Sequence, residues 1–432
     1  MGNISYFCIV KRFRSILRYC VPFIFLLLTY CGRMSAAQDS TILQHMDSVE
    51  ISLLTCQPRQ SVYSLYGHTA IRVEDHSTGA DWAVNYGLFS FSKPFFVLRF
   101  VFGLTDYEMG IEPFSDFRAE YERDGCGVWQ QVISLSREDK LAVMEAIDEN
   151  YRPENRVYRY NYFYDNCTTR ARDIIIRNMK DDVTYGSAAT ATGCSDGRFT
   201  FRSLTHAYNA GHRWARFGND LLLGVKADRQ LKDRQEQFLP WVLSKELDQA
   251  TVRQADGRGR RLVTRSFWAI EPGVQMAEGG FPLTPRCCMA MTAALTLLFS
   301  IYDTRRRKIS WGYDLALLLA TGIAGLILLA MVFSQHPTVS LNLQILLLNP
   351  LALPLAYPTI RCLRKAERKR WLTIWPIFIC LFLIGAAVQQ YAEGMMVLAS
   401  SLLIRSISVA FVIGKKKADT ATGEEETQKK SV

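Results

Sequence analysis

Cys167 is the residue on which chemistry is most readily built. It follows Asp165-Asn166, two good helix-capping types, and opens a stretch towards Met179 in which Ala171, Ile174, Ile175 and Met179 recur at helical spacing. This pattern predicts a cysteine in the first turn of a helix. The macrodipole and the free N–H groups there favour a thiolate, and the same groups can donate to the oxyanion of an acyl intermediate. Such a nucleophile needs a base within hydrogen-bond reach. Among His45, His68, His76, His206 and His212, His68 has the best setting. It follows Gly67 at the start of a run in which Thr69, Ile71 and Val73 alternate with His68, Ala70 and Arg72, the period of a strand. His206 and His212 are expected to do no chemistry. A lone cysteine or histidine is often a plain structural residue, so the pairing needs support from the elements that carry it. There is no CxxC, no His/Cys cluster of metal-ligand spacing and no glycine-rich phosphate loop, so neither metal nor cofactor is expected.

A second alternating run, Trp82 to Phe91, follows turn residues between Asp75 and Asp81, and the two runs read as a hairpin. Asn85 lies on that second strand beside the histidine strand and is expected to orient the imidazole. Val49 to Leu54 opens the folded domain, and Trp129 to Ser134 is a further strand. Arg137 to Asn150 reads as a helix with Ser136 as N-cap and Asp139 three residues on. Tyr158 to Tyr164 is a tyrosine-rich strand candidate. Phe199 to Tyr208, Phe217 to Val225 and a helix from Pro240 to Leu247 complete the set, with an exposed loop at Ala255 to Arg261. Lys93 to Tyr107 carries Phe95, Phe96, Phe100 and Phe102 and is expected as a helix or edge segment near a membrane.

The mean hydropathy of +0.01 averages two different materials. Up to about Arg286 the 432-residue chain has the charge and aromatic content of a soluble domain; beyond it come long apolar runs separated by basic clusters. Five runs are read as membrane spans: Cys287 to Tyr302, Leu315 to Phe333, Val339 to Tyr357, Ile374 to Val388 and Met395 to Ile413. Arg305 to Lys308, then Arg361 to Arg370, then Lys415 to Lys417 follow the odd spans and place those segments in the cytoplasm. The first span must then begin outside. An amino-terminal export signal agrees: basic residues at Lys11 to Arg18, a short apolar run at Val21 to Tyr30, then the small residues Ser35-Ala36-Ala37. The net charge of +10 owes much to the clusters flanking the spans, which suits anionic lipid and not nucleic acid. Of eleven cysteines, Cys56, Cys126, Cys167 and Cys194 fall in the exported domain, where one disulfide among Cys56, Cys126 and Cys194 is possible. The tail after Gly414 reads as disordered.

A Gly-His strand, a second strand and then Asn-Cys opening a helix resembles the circularly permuted papain-like enzymes of the lecithin-retinol acyltransferase type. Most of the mature chain resembles a narrower group, the Lnb-type lipoprotein N-acyltransferase family of Bacteroidota. The specific elements are Tyr66-Gly67-His68-Thr69-Ala70, Asn85-Tyr86-Gly87 and Asn161-Tyr162-Phe163 running into Asp165-Asn166-Cys167-Thr168-Thr169-Arg170. Phe201-Arg202, Phe217-Gly218, Leu223-Gly224, Asp228, Phe238-Leu239-Pro240 and Asn342, Asn349 and Pro350 in the third span extend it.

The resemblance implies an α+β chain: a signal over 1–37, a permuted papain-like domain over 38–286, a five-helix transmembrane domain over 287–414 and a cytoplasmic tail over 415–432. It further implies an inner-membrane enzyme that takes an acyl chain from a phospholipid onto Cys167 and passes it to the amine of a diacylated lipoprotein. His68 is then the base and Asn85 its orienting partner. Tyr66 and Asn166 would face the substrate, Arg170 and Arg202 would meet a phosphate headgroup, and Arg405, deep in the fifth span, would pair with a lipid phosphate or with Asp314 or Glu393. Gln389 and Gln390 would line a groove open to lipid. Two alternatives stand beside this: a membrane-anchored cysteine amidase or peptidase using the same pair, and a non-enzymatic envelope binding protein in which Cys167 is dispensable.

Overall fold

The computed structural model describes residues 40–90, 94–187, 199–232, 234–253, 258–275, 281–367 and 370–430. The segment read as an export signal, Cys194, and Arg368 and Lys369 of the second basic cluster lie outside the described residues. Among the described residues ten strands make two antiparallel sheets. They are β1 (Val49–Cys56), β2 (His68–Asp75), β3 (Ala80–Leu88), β4 (Asp106–Pro113), β5 (Val128–Ile133), β6 (Val157–Arg159), β7 (Asp182–Thr184), β8 (Thr251–Arg253), β9 (Gly259–Arg261) and β10 (Val263–Ile270). The main sheet runs β10-β5-β1-β2-β3-β4-β6, and β7-β8-β9 form the small one.

Among the described residues seven α-helices accompany these strands: α1 (Phe96–Val101), α2 (Phe114–Arg123), α3 (Arg137–Tyr151), α4 (Cys167–Ile176), α5 (Phe201–Tyr208), α6 (Arg213–Leu222) and α7 (Pro240–Asp248). Strand alternation sends Ile51, Leu53, Ile71, Val84 and Tyr86 into one core with Val143 of α3, Ala171 and Ile175 of α4 and Leu243 of α7. Leu54, Cys56, Ala70 and Ala83 point the other way, onto Phe114, Phe117 and Tyr121 of α2. The expected hairpin is β2-β3, in the register Ala70 opposite Asn85. The expected cap of α3 is a full capping box of Ser136 and Asp139. Two expectations are corrected. The tyrosine run is a strand only to Arg159, because Asn161 then accepts hydrogen bonds from the N–H groups of Phe163 and Tyr164 and turns the chain. Gly259–Arg261, expected in a loop, pairs with β8.

The carboxy-terminal half is helical: α8 (Pro285–Arg306), α9 (Trp311–Val332), α10 (Ala352–Arg364), α11 (Arg370–Gly385) and α12 (Met395–Lys430). Among the described residues, three segments are long and apolar enough to cross a membrane: α8, α9 and Met395–Asp419 of α12. The third expected span is broken. Its polar residues and Pro350 support a turn of 3-10 helix at Leu343–Leu346 and then the 13-residue α10, too short to span on its own. The irregular stretch lies tightly along α9: a Cβ on Gly325 would stand 2.3 Å from the Leu348 carbonyl oxygen. α12 continues as helix past Gly414, where a disordered tail was expected; the Lys-, Ala- and Glu-rich composition favours helix. Arg405 does not meet lipid. It is buried in a two-pronged pair with Asp314 of α9, at 2.8 and 2.7 Å, and also binds Asp303 of α8 at 2.7 Å. Glu393, the other partner considered, pairs with Arg286.

The two halves are joined through the carboxy-terminal carbonyls of α6. Gln344 donates to the carbonyls of Asp220 (2.8 Å) and Leu221 (3.1 Å), Asn342 to those of Leu221 and Leu222, and Gln389 to that of Leu223. Gln389 and Asn342 also bond to each other at 2.8 Å. These carbonyls have no partner within their own helix; the membrane half supplies donors to all of them, and Arg202 adds its own at Asp220 and Leu223. Gln389 is therefore buried and structural, not part of an open groove. Gln344→Leu is expected to cost about 1–3 kcal/mol and to lower the unfolding temperature of the detergent-solubilised protein. The exposed Gln390→Leu should leave that temperature unchanged, and equal temperatures for both variants would refute this account of the joint.

Candidate active site

α4 begins where the sequence predicts. The side-chain oxygen of Asn166 accepts from the N–H groups of Thr168 (3.0 Å) and Thr169 (2.9 Å), and the Thr169 hydroxyl accepts from the Asn166 N–H. Asn166 also donates to the carbonyls of Tyr162 and Phe238. Its side chain thus holds the helix start against the turn that precedes α7, while the residue also lines the cavity described below. Cys167 is the first residue of the helix and is buried.

His68 opens β2. The preceding Gly67 has φ +79°, and a Cβ there would stand 2.6 Å from the Cys56 carbonyl oxygen, so the entry to the histidine strand requires glycine. The next residue, Thr69, faces the other side of the strand and its hydroxyl meets that of Thr168 at 3.0 Å. That contact sets the start of α4 against the start of β2. The imidazole Nε2 lies 3.0 Å from Asn85 Oδ1 on β3, and Asn85 Nδ2 donates to Glu112 Oε1 on β4 at 2.5 Å. Because the carboxylate fixes the amide nitrogen, Oδ1 must accept, and Nε2 must carry the proton. Nδ1 is then the basic nitrogen left to serve the Cys167 sulfur, which lines the same cavity as the imidazole.

Burial pushes the Cys167 thiol up. The charge and hydrogen bond of His68, the Thr69 N–H and the Thr168 hydroxyl outweigh it, and the thiol is held below its ordinary value. Burial likewise pushes the imidazole down, but Cys167 and Asn85 outweigh it and raise it. Burial, then the charges of Glu120 and Asp116, raise the Glu112 carboxyl.

The pair opens into a cavity of about 630 Å³, within the range of small-ligand sites. One end is polar, with Gln57, Arg59, Glu112 and Glu120. The other is apolar and crosses into the membrane half: Phe89, Phe96, Phe100 and Leu222, then Met331 and Val339. Tyr66 lines the cavity with its ring, while its hydroxyl oxygen takes hydrogen bonds from Asn209 and Asn219. The two arginines expected at a phosphate lie elsewhere. Arg170 makes a two-pronged pair with Asp165 at 2.6 and 2.8 Å and stacks over Tyr158. Arg202 is fully buried between Asp220 and Asp228. His206, paired with Asp220, is structural, as expected. Cys56 and Cys126 are free thiols, so the disulfide considered between them is absent. Glu112 and Arg59 were missed. Tyr107, Met109 and Ile111 alternate with Glu108, Gly110 and Glu112, and that strand signal was available.

With the thiol lowered and the imidazole raised, the thiolate persists as pH falls until the lowered thiol value is crossed. Alkylation of the Cys167 peptide by iodoacetamide, followed by mass spectrometry, should therefore extend to lower pH than for an ordinary thiol. His68→Ala should move its midpoint upward, since burial is then opposed only by the Thr69 N–H and the Thr168 hydroxyl; an unmoved midpoint would exclude the pair. Asn85→Ala should shift it in the same direction by roughly one to two pH units at most, because a hydrogen bond to a charged group is worth about 1.5–3 kcal/mol.

Two family descriptions match the chain. The Lnb N-terminal periplasmic domain covers residues 41–205, and the Lnb transmembrane domain covers residues 276–417. No curated protein and no solved structure matches it. The first match holds β1 to α4 with His68, Asn85 and Cys167, and the second holds α8 to α11 and α12 as far as residue 417. A mixed α/β periplasmic domain is thus followed by a helical membrane domain, and the chain belongs to the Lnb family.

Proposed function

We propose that this protein is a lipoprotein N-acyltransferase of the inner membrane, moving an acyl chain from a phospholipid through a Cys167 thioester to the terminal amine of a diacylated lipoprotein. The observation that carries this is the route from the sulfur to the membrane helices. The cavity that holds Cys167 and His68 is lined largely by apolar and aromatic side chains and reaches Met331 and Val339 of the membrane half. A hydrolase of wall peptides would have no use for such a channel, whereas an acyl chain fills it. Family membership supports the same class of substrate.

In the first step the thiolate attacks the ester carbonyl. The C–S bond forms, the ester C–O bond breaks, and Nδ1 of the imidazolium gives its proton to the departing glycerol oxygen. A lysophospholipid leaves. In the second step the amine attacks the thioester. The C–N bond forms, the C–S bond breaks, Nδ1 takes the amine proton, and the resting pair returns. Asn85 and Glu112 hold Nε2 protonated throughout, so the ring exchanges protons only on the sulfur side. The Cys167 N–H is the first-turn amide the Asn166 cap does not engage, and it is assigned to the acyl oxygen. Tyr66 presents its ring to the chain, and the polar end around Arg59 and Glu120 receives the headgroup and then the amine-bearing peptide.

The order of the parts, histidine strand before cysteine helix, supports a permuted papain-like arrangement of the domain. Basic clusters at one end of the bundle support a cytoplasmic tail: Arg307 pairs with Asp419, and Arg364 stacks on Trp311.

Mass spectrometry of a lipoprotein's amino-terminal peptide tests the function. Cells carrying Cys167→Ala, at equal protein level, are expected to lose the N-linked acyl chain and show a free amine. Persistence of the acyl chain would overturn it and favour an amidase or a binding role.

A further inference from the structure

The segment Phe95 to Leu104 has a composition unsuited to water. Arg99 is its one charged residue, and Arg99 is paired with Asp106 at 2.8 Å. Its short helix α1 has two apolar faces. Phe96 and Phe100, one turn apart, line the cavity that reaches Cys167. On the other side Phe95, Val97 and Leu98 are 77%, 72% and 56% exposed. An uncovered apolar strip on a folded domain marks an interaction surface.

Its place in the fold identifies what covers it. α9, the most apolar candidate span, ends at Val332. Three residues on, the Gln335 N–H donates to the Phe102 carbonyl at 3.0 Å, and His336 Nε2 lies 3.2 Å from the Phe100 carbonyl. Arg159 ties the Gly103 carbonyl and the Gln335 side chain together. The segment is therefore fastened just beyond the end of a span, and the headgroup layer beyond the hydrocarbon is roughly 5–8 Å deep. A short apolar element at that level meets lipid first. We infer that Phe95–Leu104 is an interfacial lip that sits in the outer leaflet of the phospholipid bilayer and forms the side entrance of the cavity, so that a lipid chain enters past Phe96 and Phe100 without leaving the bilayer. The entrance role rests on the acyl-transfer reading of Cys167; the seating in lipid does not.

The test uses the full chain in phospholipid nanodiscs, in the Cys167→Ala background so that lipid contact is read apart from chemistry. Benzoylphenylalanine replaces Val97 or, as control, Thr78 in the turn at the far end of β2, roughly 25 Å along the strand from His68. After irradiation, a phospholipid adduct at position 97 and none at position 78 is the expected result. A protein adduct at 97, no adduct there, or equal lipid adducts at both positions would overturn the seating. For the entrance, Leu98→Asp in the otherwise intact protein is expected to slow transfer from a bilayer phospholipid about tenfold or more, while a short-chain soluble ester donor in detergent changes by less than about twofold. Equal loss with both donors would overturn the entrance role. A lipid adduct at 97 with no dependence of lipoprotein acylation on Cys167 would leave the seating intact and refute the acyl-transfer reading.

Discussion

The coupling of His68 to Cys167 is the interaction on which the rest of the amino-terminal domain turns. A charged pair beside an apolar cavity loses hydration, and only close mutual contact with added hydrogen bonds offsets that loss. The fold supplies the bonds from four separate elements. The helix start contributes Thr168, β2 contributes the Thr69 N–H, and β3 and β4 contribute Asn85 and Glu112 behind the ring. Each donor or acceptor is fixed by strand register, with Ala70 opposite Asn85 and Asn85 opposite Gly110. A one-residue slip would turn any of these groups to the other face of the sheet.

The settings of Cys167 and His68 were legible because each stands at an element boundary with strong local chemistry. Asn-Cys-Thr-Thr carries its own capping box, and Gly67 carries a left-handed turn into an alternating strand. Asn85 followed from the hairpin. Glu112 did not, because β4 is diluted by Gly110 and Pro113 and because the residue acts only through Asn85. Arg170 and Arg202 failed for a different reason. Sequence shows a cation but not its neighbours, and Asp165, Asp220 and Asp228 had already claimed them.

In the carboxy-terminal half, hydropathy located the apolar mass and misjudged its geometry. Val339 to Tyr357 is apolar enough to pass as a span, yet Asn342 and Gln344 do not serve a helix pair in lipid. They reach α6 of the periplasmic domain. Irregular backbone is tolerated beside a span where protein covers it, and α9 covers it by placing Gly325 against the Leu348 carbonyl. The polar residues that weaken the span are thus the ones that seat the periplasmic half on the membrane half.

The buried cluster of Arg405, Asp303 and Asp314 bears on how the chain is made. An unpaired charge at the centre of a helix raises the cost of entering a bilayer by roughly 2.5 to 3.5 kcal/mol. α8 and α9 each bring an acidic residue, and α12, synthesised last, brings the arginine that neutralises both. Biogenesis is therefore not a series of independent insertions. The mid-span charge is Arg405, and it is compensated only where Asp303 in the last turn of α8 and Asp314 in the first turn of α9 stand ready, so entry of α12 depends on the two helices made before it.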